Sequence, residues 1–255
     1  MVIRSWDNRP FVPKQGERGY ILVTAMWLLL LGASIVALLM LKNLGRGEEI
    51  SFEREQLQIQ YVQESAVETV VADMLFNGPR GEFVLLPAKT SYIIDGTQVT
   101  VRVTSESGKI DVNQADPSLI DRALRGFGIS ALQRQSFISQ IKVERANGRL
   151  FQSNGDVESA MEKSGIIDRD GFCVSRYFTV YSGLASPQTN QMDAPLARAL
   201  GQPTLEAAGK AGTGAAMKIE ITSDGNAPLN VIIRTSGLVS QSHSVLDWRY
   251  AANCN

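Results

Sequence analysis

The order of apolar and polar residues changes sharply three times along the chain. A charged stretch ends at Gly19, and the residues from Tyr20 to Leu41 carry no charged side chain. A helix of about 22 residues is roughly 33 Å long, enough for a bilayer core of about 30 Å. The apolar part of a secretory signal is shorter, about 7–15 residues. No A-x-A site follows this run, so it reads as a retained anchor. From Ser51 the pattern becomes helical and one-sided, with Leu57, Tyr61, Val67, Val70, Val71, Met74 and Leu75 on one broad face. Asn77-Gly78-Pro79 stops this second helix. Gly45 and Gly47 each cost about 1 kcal/mol in a helix interior, which predicts a soft joint between the two helical stretches.

Period-two patterning follows. In "TSYIIDGTQVTVRVTS", Asp95-Gly96 lies between a β-rich run and the alternating Val99, Val101 and Val103, a hairpin signal. "KIDVN" is expected to add a third short strand. Helical text then runs from Ala115 to about Ile166, and β text returns as "MKIEITSDG", "LNVIIRTSG" and "SVLDWRY". The small, Gly-rich "GQPTLEAAGKAGTGAA" between them reads as a linker. Strands on both sides of a helical block predict an α+β fold, one antiparallel sheet with a helical insertion. Two segments, from Asn113 and from Asn190, share Asn-Gln-x-Asp-x-x-Leu, and Asn or Asp ahead of an apolar pattern is helix-capping chemistry. Both are expected to start helices.

Charge narrows the partners. The 255-residue chain has a formal net charge of -1, which gives no support for a partner held mainly by electrostatics. The flank before the apolar run carries Arg4, Arg9, Lys14 and Arg18 against Asp7 and Glu17. That basic bias puts the short leader in the cytoplasm and the bulk of the chain across the membrane. The two cysteines, Cys173 and Cys254, exclude a multi-cysteine zinc framework. Two free thiols and one disulfide both remain open.

Within the insertion, "RGFGIS" joins two predicted helices at Gly126-Phe127-Gly128, as in helix-hairpin-helix (SAM-like) modules whose turn offers N–H groups to a DNA phosphate. Basic and acidic residues balance from Gly108 to Asp170, whereas a DNA-binding domain carries a basic excess. A membrane-anchored DNA receptor is the alternative function this hairpin keeps open. "GFGISA" also fits G-x-G-x-x-A, but a helix precedes it rather than a strand. The single histidine, His243, has no G-x-S-x-G elbow for company and reads as a strand-edge residue. "NGDVES" and "IDRDG" lack the spacing of an EF-hand loop. No set of residues converges on catalysis, and a non-enzymatic protein is expected.

Taken in order, the "RGY" junction with its apolar helix, the "GKIDVN-A" entry to the insertion, "FTVYSG" with its second Asn-led segment and the closing "VLDWR" resemble a type II secretion minor pseudopilin of the K type. The resemblance implies a leader, residues 1–19, cut by a prepilin peptidase after Gly19 to leave Tyr20 at the N-terminus. It implies a membrane helix at 20–41, its amphipathic extension at 42–77, sheet strands at 83–113 and 217–255, an insertion at 114–200 and a linker at 201–216. Gly32, Ala33 and Ser34 would form a small-residue packing patch in the membrane. Most pilin-like subunits have glutamate where this chain has Thr24. A carboxylate with no partner costs about 2.5–3.5 kcal/mol in the membrane on insertion scales, so a tip subunit does better without one. The bland reading is that Thr24 bonds back to its own helix. The implied partners are the I-type and J-type pseudopilins, the peptidase, the inner membrane and secreted substrates, with no nucleic acid. No cofactor is expected; the family's calcium sites cannot be placed on these residues, and the segment after Asn190 is shorter than is usual for the type.

Overall fold

The structure, a computed structural model, describes residues 17–77, 80–168, 172–203, 209–210, 214–223, 227–238 and 241–250, with backbone alone at 17–19, 41–56, 237–238 and 241–242. Most of the expected leader, part of the expected linker and Cys254 lie outside the described residues. The chain divides into two units, Met1–Gln58 and Ile59–Asn255. In the first, α1 (Glu17–Ala72) is already formed at Glu17 and stays helical through Gly45 and Gly47. The backbone shows no break at the soft joint expected there. Two glycines cost about 2 kcal/mol in a helix interior, and the backbone is helical through both.

In the second unit the last turns of α1 pass into a short π-helical stretch, Asp73–Asn77. There follow β1 (Leu85–Leu86), β2 (Ala88–Ile94) and β3 (Thr97–Ser105). Asp95 and Gly96 both have positive φ, 48° and 74°, as a tight hairpin turn demands, and β2 pairs antiparallel with β3. The insertion contains β4 (Ile110–Asp111), α2 (Pro117–Gly126), α3 (Ala131–Ala146), α4 (Asn154–Lys163), α5 (Val174–Tyr177), β5 (Phe178–Thr179), α6 (Ala194–Ala199) and β6 (Gly209–Lys210). β7 (Ala216–Ser223), β8 (Leu229–Leu238) and β9 (Gln241–Tyr250) close the chain. The main sheet has the order β2-β3-β7-β8-β9, antiparallel throughout. Because Ser105 pairs with Met217, the whole insertion hangs from the end of one β3–β7 hairpin.

"KIDVN" does not extend this sheet. Its β4 pairs in parallel with β5, deep in the insertion. Part of the expected linker is likewise a strand, since β6 pairs with β1. Both Asn-Gln-x-Asp segments do start helices, and in each the aspartate stands at the N-cap position, though only Asp116 caps with its side chain. Asp116 caps α2 through the Ser118 N–H, and Asp193 precedes α6.

Two apolar cores result. One lies between α1 and the sheet, where Val62, Ala66, Val67, Val70 and Val71 rest on Val99, Val101, Val103, Ile219, Ile221, Val231 and Ile233. The other fills the insertion, built on Ile120, Leu124, Phe137, Ile141, Met161, Tyr177, Phe178 and Leu196. Its aromatic corner stacks Phe127 on Tyr177 at 4.5 Å and sets Phe172 edge-on to Phe127 at 5.1 Å.

Candidate functional site

The apolar stretch Tyr20–Met40 is long and apolar enough to cross a membrane, with a mean hydropathy of 2.5 and none of it buried. Its polar groups are already spoken for. The Thr24 hydroxyl donates to the Tyr20 and Ile21 carbonyls at 3.0 and 2.9 Å, and the Ser34 hydroxyl donates to the Leu30 carbonyl at 2.8 Å. Thr24 therefore bonds back to its own helix, which lets a hydroxyl enter lipid without stranding a donor. At Gly32 nothing lies within 4 Å of where a Cβ would stand, so the Gly32-Ala33-Ser34 segment leaves an open notch. Gly19 and Tyr20 lie in the first turns of α1.

The apolar face of the second helical stretch is largely used within the chain. Val67, Val70 and Val71 are buried on the protein's own sheet, and Met74 and Leu75 pack against the same core. Leu57 and Tyr61 remain exposed. Periodicity reveals that a face is apolar but not what covers it.

Where the insertion joins the sheet, "GKIDVN" acts residue by residue. A Cβ on Gly108 would lie 2.0 Å from the Gln191 carbonyl oxygen, so only glycine permits this approach. Lys109 is buried, and its ammonium donates to the Glu106 carboxylate and to the Ser175 carbonyl. Burial pushes the lysine pKa down, and the Glu106 charge partly opposes this. Ile110 and Val112 enter the insertion core. The buried Asp111 carboxylate accepts from the N–H groups of Asn113 and Gln114 on one oxygen, and from Gly183 N–H and the Ser182 hydroxyl on the other. Asn113 exchanges two hydrogen bonds with the Phe151 backbone, at 2.9 and 3.0 Å. These polar side chains hold loops in place; they do not face a ligand. The same holds for Gln191, whose amide donates to the Lys210 carbonyl beside β6.

The hairpin at Gly126 to Gly128 spends its donors internally. Phe127, Gly128 and Ile129 donate to the Ala123, Arg125 and Leu124 carbonyls, closing the C-terminus of α2. Ser130 and Gln133 form a reciprocal capping box at the start of α3. Asp121 accepts from both Arg125 and Arg134, at 2.6 and 2.9 Å. A Cβ on Gly126 would meet the Ala199 backbone at 2.3 Å, so this glycine serves the packing of α2 on α6. The N–H groups of Phe127, Gly128 and Ile129 are thus engaged within the chain.

A shallow cleft of about 230 Å³ lies between α3 and α4, lined by Gln140, Glu144, Phe151, Asp156 and Lys163 among others. Its acids have local duties: Glu144 pairs with Arg149, and Asp156 caps α4. Among the described residues no group of three or more His, Cys, Asp or Glu could hold a metal. His243 lies on the edge strand β9, opposite Thr235. Cys173 is disulfide-bonded, and the other cysteine of the sequence is Cys254.

Comparison with solved structures finds the same architecture in a chain of the crystallised GspK-GspI-GspJ complex from the enterotoxigenic Escherichia coli type 2 secretion system. The two superpose with a TM-score of 0.51 over 79% of this chain and 98% of that one, at 10% identity. The fold is pseudopilin-like. At that identity the likeness is one of fold alone. No family model and no curated protein matches the sequence.

Proposed function

We propose that the chain is a minor pseudopilin of the K type, a non-enzymatic subunit at the tip of a type II secretion pseudopilus that supports export of folded proteins. The observation that carries this reading is a pseudopilin-like sheet with a large helical insertion hung from one hairpin, behind a charge-free N-terminal helix. The solved chain it resembles comes from an assembly with other pseudopilins, which supports I-type and J-type subunits as partners here. In this reading residues 1–19 are a cytoplasmic leader removed by a prepilin peptidase, and 20–41 hold the subunit in the inner membrane. The remainder lies in the periplasm, where it meets secreted substrates. Glycine is a poor helix former, so Gly19 favours local opening at the scissile bond. An oxidising compartment also suits a Cys173–Cys254 disulfide, the pairing we assign.

Co-expression with a matched prepilin peptidase tests the reading. The parent chain is expected to shorten by its leader, while Gly19→Leu stays full length. Equal processing of both would overturn the assignment.

A further inference from the structure

The sheet is covered unevenly on the face that holds α1. Cross-strand partners share a face, so the pairs Ile233 with Val245, Val231 with Trp248 and Leu229 with Tyr250 put three large side chains of β9 on that side. Their β8 partners are fully buried under α1, yet Val245, Trp248 and Tyr250 are 48%, 38% and 50% exposed. α1 rests on β3, β7 and β8, and its cover stops short of β9. The unroofed strand is thus the floor of a groove with α1 as its wall. Glu64 lies on that wall, close enough for its carboxylate to act on the Tyr250 phenol, and Glu68 follows one turn on, on the same face. Like charges at this spacing destabilise a helix. Neither carboxylate has a cationic partner among the described residues.

We propose that this groove seats the amphipathic helix of a second pilin-like subunit lying alongside α1, with apolar side chains on Val245, Trp248 and Tyr250 and Lys or Arg side chains against Glu64 and Glu68. Charge complementarity selects the partner: two acids with no cationic partner among the described residues, beside an apolar floor, ask for a helix with a basic flank. The spacing fits as well. β9 lies two strands from β7, about 9.6 Å, and packed helices stand about 8–10 Å apart. Trp and Tyr at the centre of the floor are the side chains that most often dominate interface energy. The proposal rests on the pseudopilin reading and adds to it the surface used and the chemistry of the helix received.

Photocrosslinking with the full chain in host membranes tests it. p-Benzoylphenylalanine replaces Trp248 in the groove, Ile93 on the opposite sheet edge and Leu31 in the apolar span. The expected result is an adduct from position 248 whose peptides map to a basic helical segment of a pilin-like subunit, with none from position 93. The double variant Glu64→Lys/Glu68→Lys should lower that adduct about tenfold, as losing a central charged contact would, with the thermal melt unchanged. An adduct to a second copy of this chain, to a protein without a pilin-like helix, or one indifferent to the charge reversal overturns the proposal. If position 31 captures pilin-like helices and position 248 captures nothing, the groove assignment alone falls. If neither captures one, the functional reading falls with it.

Discussion

The two faces of the main sheet are covered by opposite chemistries. On one, α1 lays valines and an alanine on a bed of valine, isoleucine and leucine, with Gln63 the one fully buried polar side chain of the helix among the described residues. On the other lie Arg102, Lys218, Glu220, Asn230, Asp247 and Arg249. Arg249 reaches Glu158 on α4, Arg234 donates to the Tyr181 carbonyl, and Lys218 pairs with Glu220. Burial first and the Asp247 carboxylate next push the Tyr181 phenol up to about 12. A dry face makes helix and sheet one unit, because neither can expose its stripe without losing the hydrophobic gain. A polar face asks less of what covers it. The insertion brings its own core and docks through ion pairs and backbone contacts, as separate domains do. That division explains how one hairpin can carry a large insertion without disturbing the sheet.

The sharpest test of this contrast uses two neighbouring residues of β3 that point to opposite faces. Val101 is fully buried under α1, and Thr100 lies on the polar side. Val101→Asp places an unpaired charge in the dry core and should cost about 4 kcal/mol or more, enough to unfold the sheet. Thr100→Asp should cost about 1 kcal/mol, mostly through strand propensity. Urea melts followed by circular dichroism compare them; equal losses would mean that the two faces do not differ as described.

Next in size is the buried pair at the junction. Lys109→Met strands the Glu106 carboxylate, one oxygen of which already has no hydrogen-bond partner. Breaking such a pair costs about 3–5 kcal/mol, whereas replacing both members with apolar residues is often neutral. The double variant Glu106→Met/Lys109→Met is therefore expected to recover most of what Lys109→Met loses. If the two losses simply add, the pair is not coupled and the insertion is held elsewhere.

The dry face was far more legible from sequence than the polar one, and the reason is physical. Alternation at Val99, Val101 and Val103 and the Asp95-Gly96 turn are local signals, each sufficient to define its own hairpin. The aspartates at the N-cap positions of α2 and α6 are local too. By contrast, Lys109 reads as a surface lysine until folding brings Glu106 and the Ser175 carbonyl around it. β4 reads as a third sheet strand because its partner β5 is nearly seventy residues away. β6 was hidden in Gly-rich text for the same reason, its partner β1 lying far upstream. The helical face from Leu57 to Leu75 was correctly read as apolar, but periodicity cannot tell a protein's own sheet from a neighbour's. Of the candidate site, Thr24 and Ser34 could be foreseen, since a hydroxyl in an apolar helix has only its own backbone to bond.

The smallest predicted effect probes the insertion on its own. Asp121 links α2 to α3 by accepting from Arg134 and Arg125. The Arg134 hydrogen bond holds the Asp121 carboxyl below the usual carboxylate range; burial, the next largest cause, opposes it, and the Arg134 charge and the Arg125 hydrogen bond and charge add to the lowering. A carboxyl whose folded pKa is depressed adds stability that is fully present above its unfolded value and is lost as pH falls through the folded one. The insertion should therefore weaken below about pH 4, the unfolded carboxylate value. Asp121→Asn should remove about 0.5–1 kcal/mol at neutral pH, because the pair is partly solvated. It should also flatten the acid limb of the stability curve. The α1–sheet core contains neither partner, so amide exchange in β3 and β7 should not respond to the substitution, while exchange in α2 and α3 speeds up. Equal acceleration in both places would show that the two cores open together and that the polar layer does not separate them.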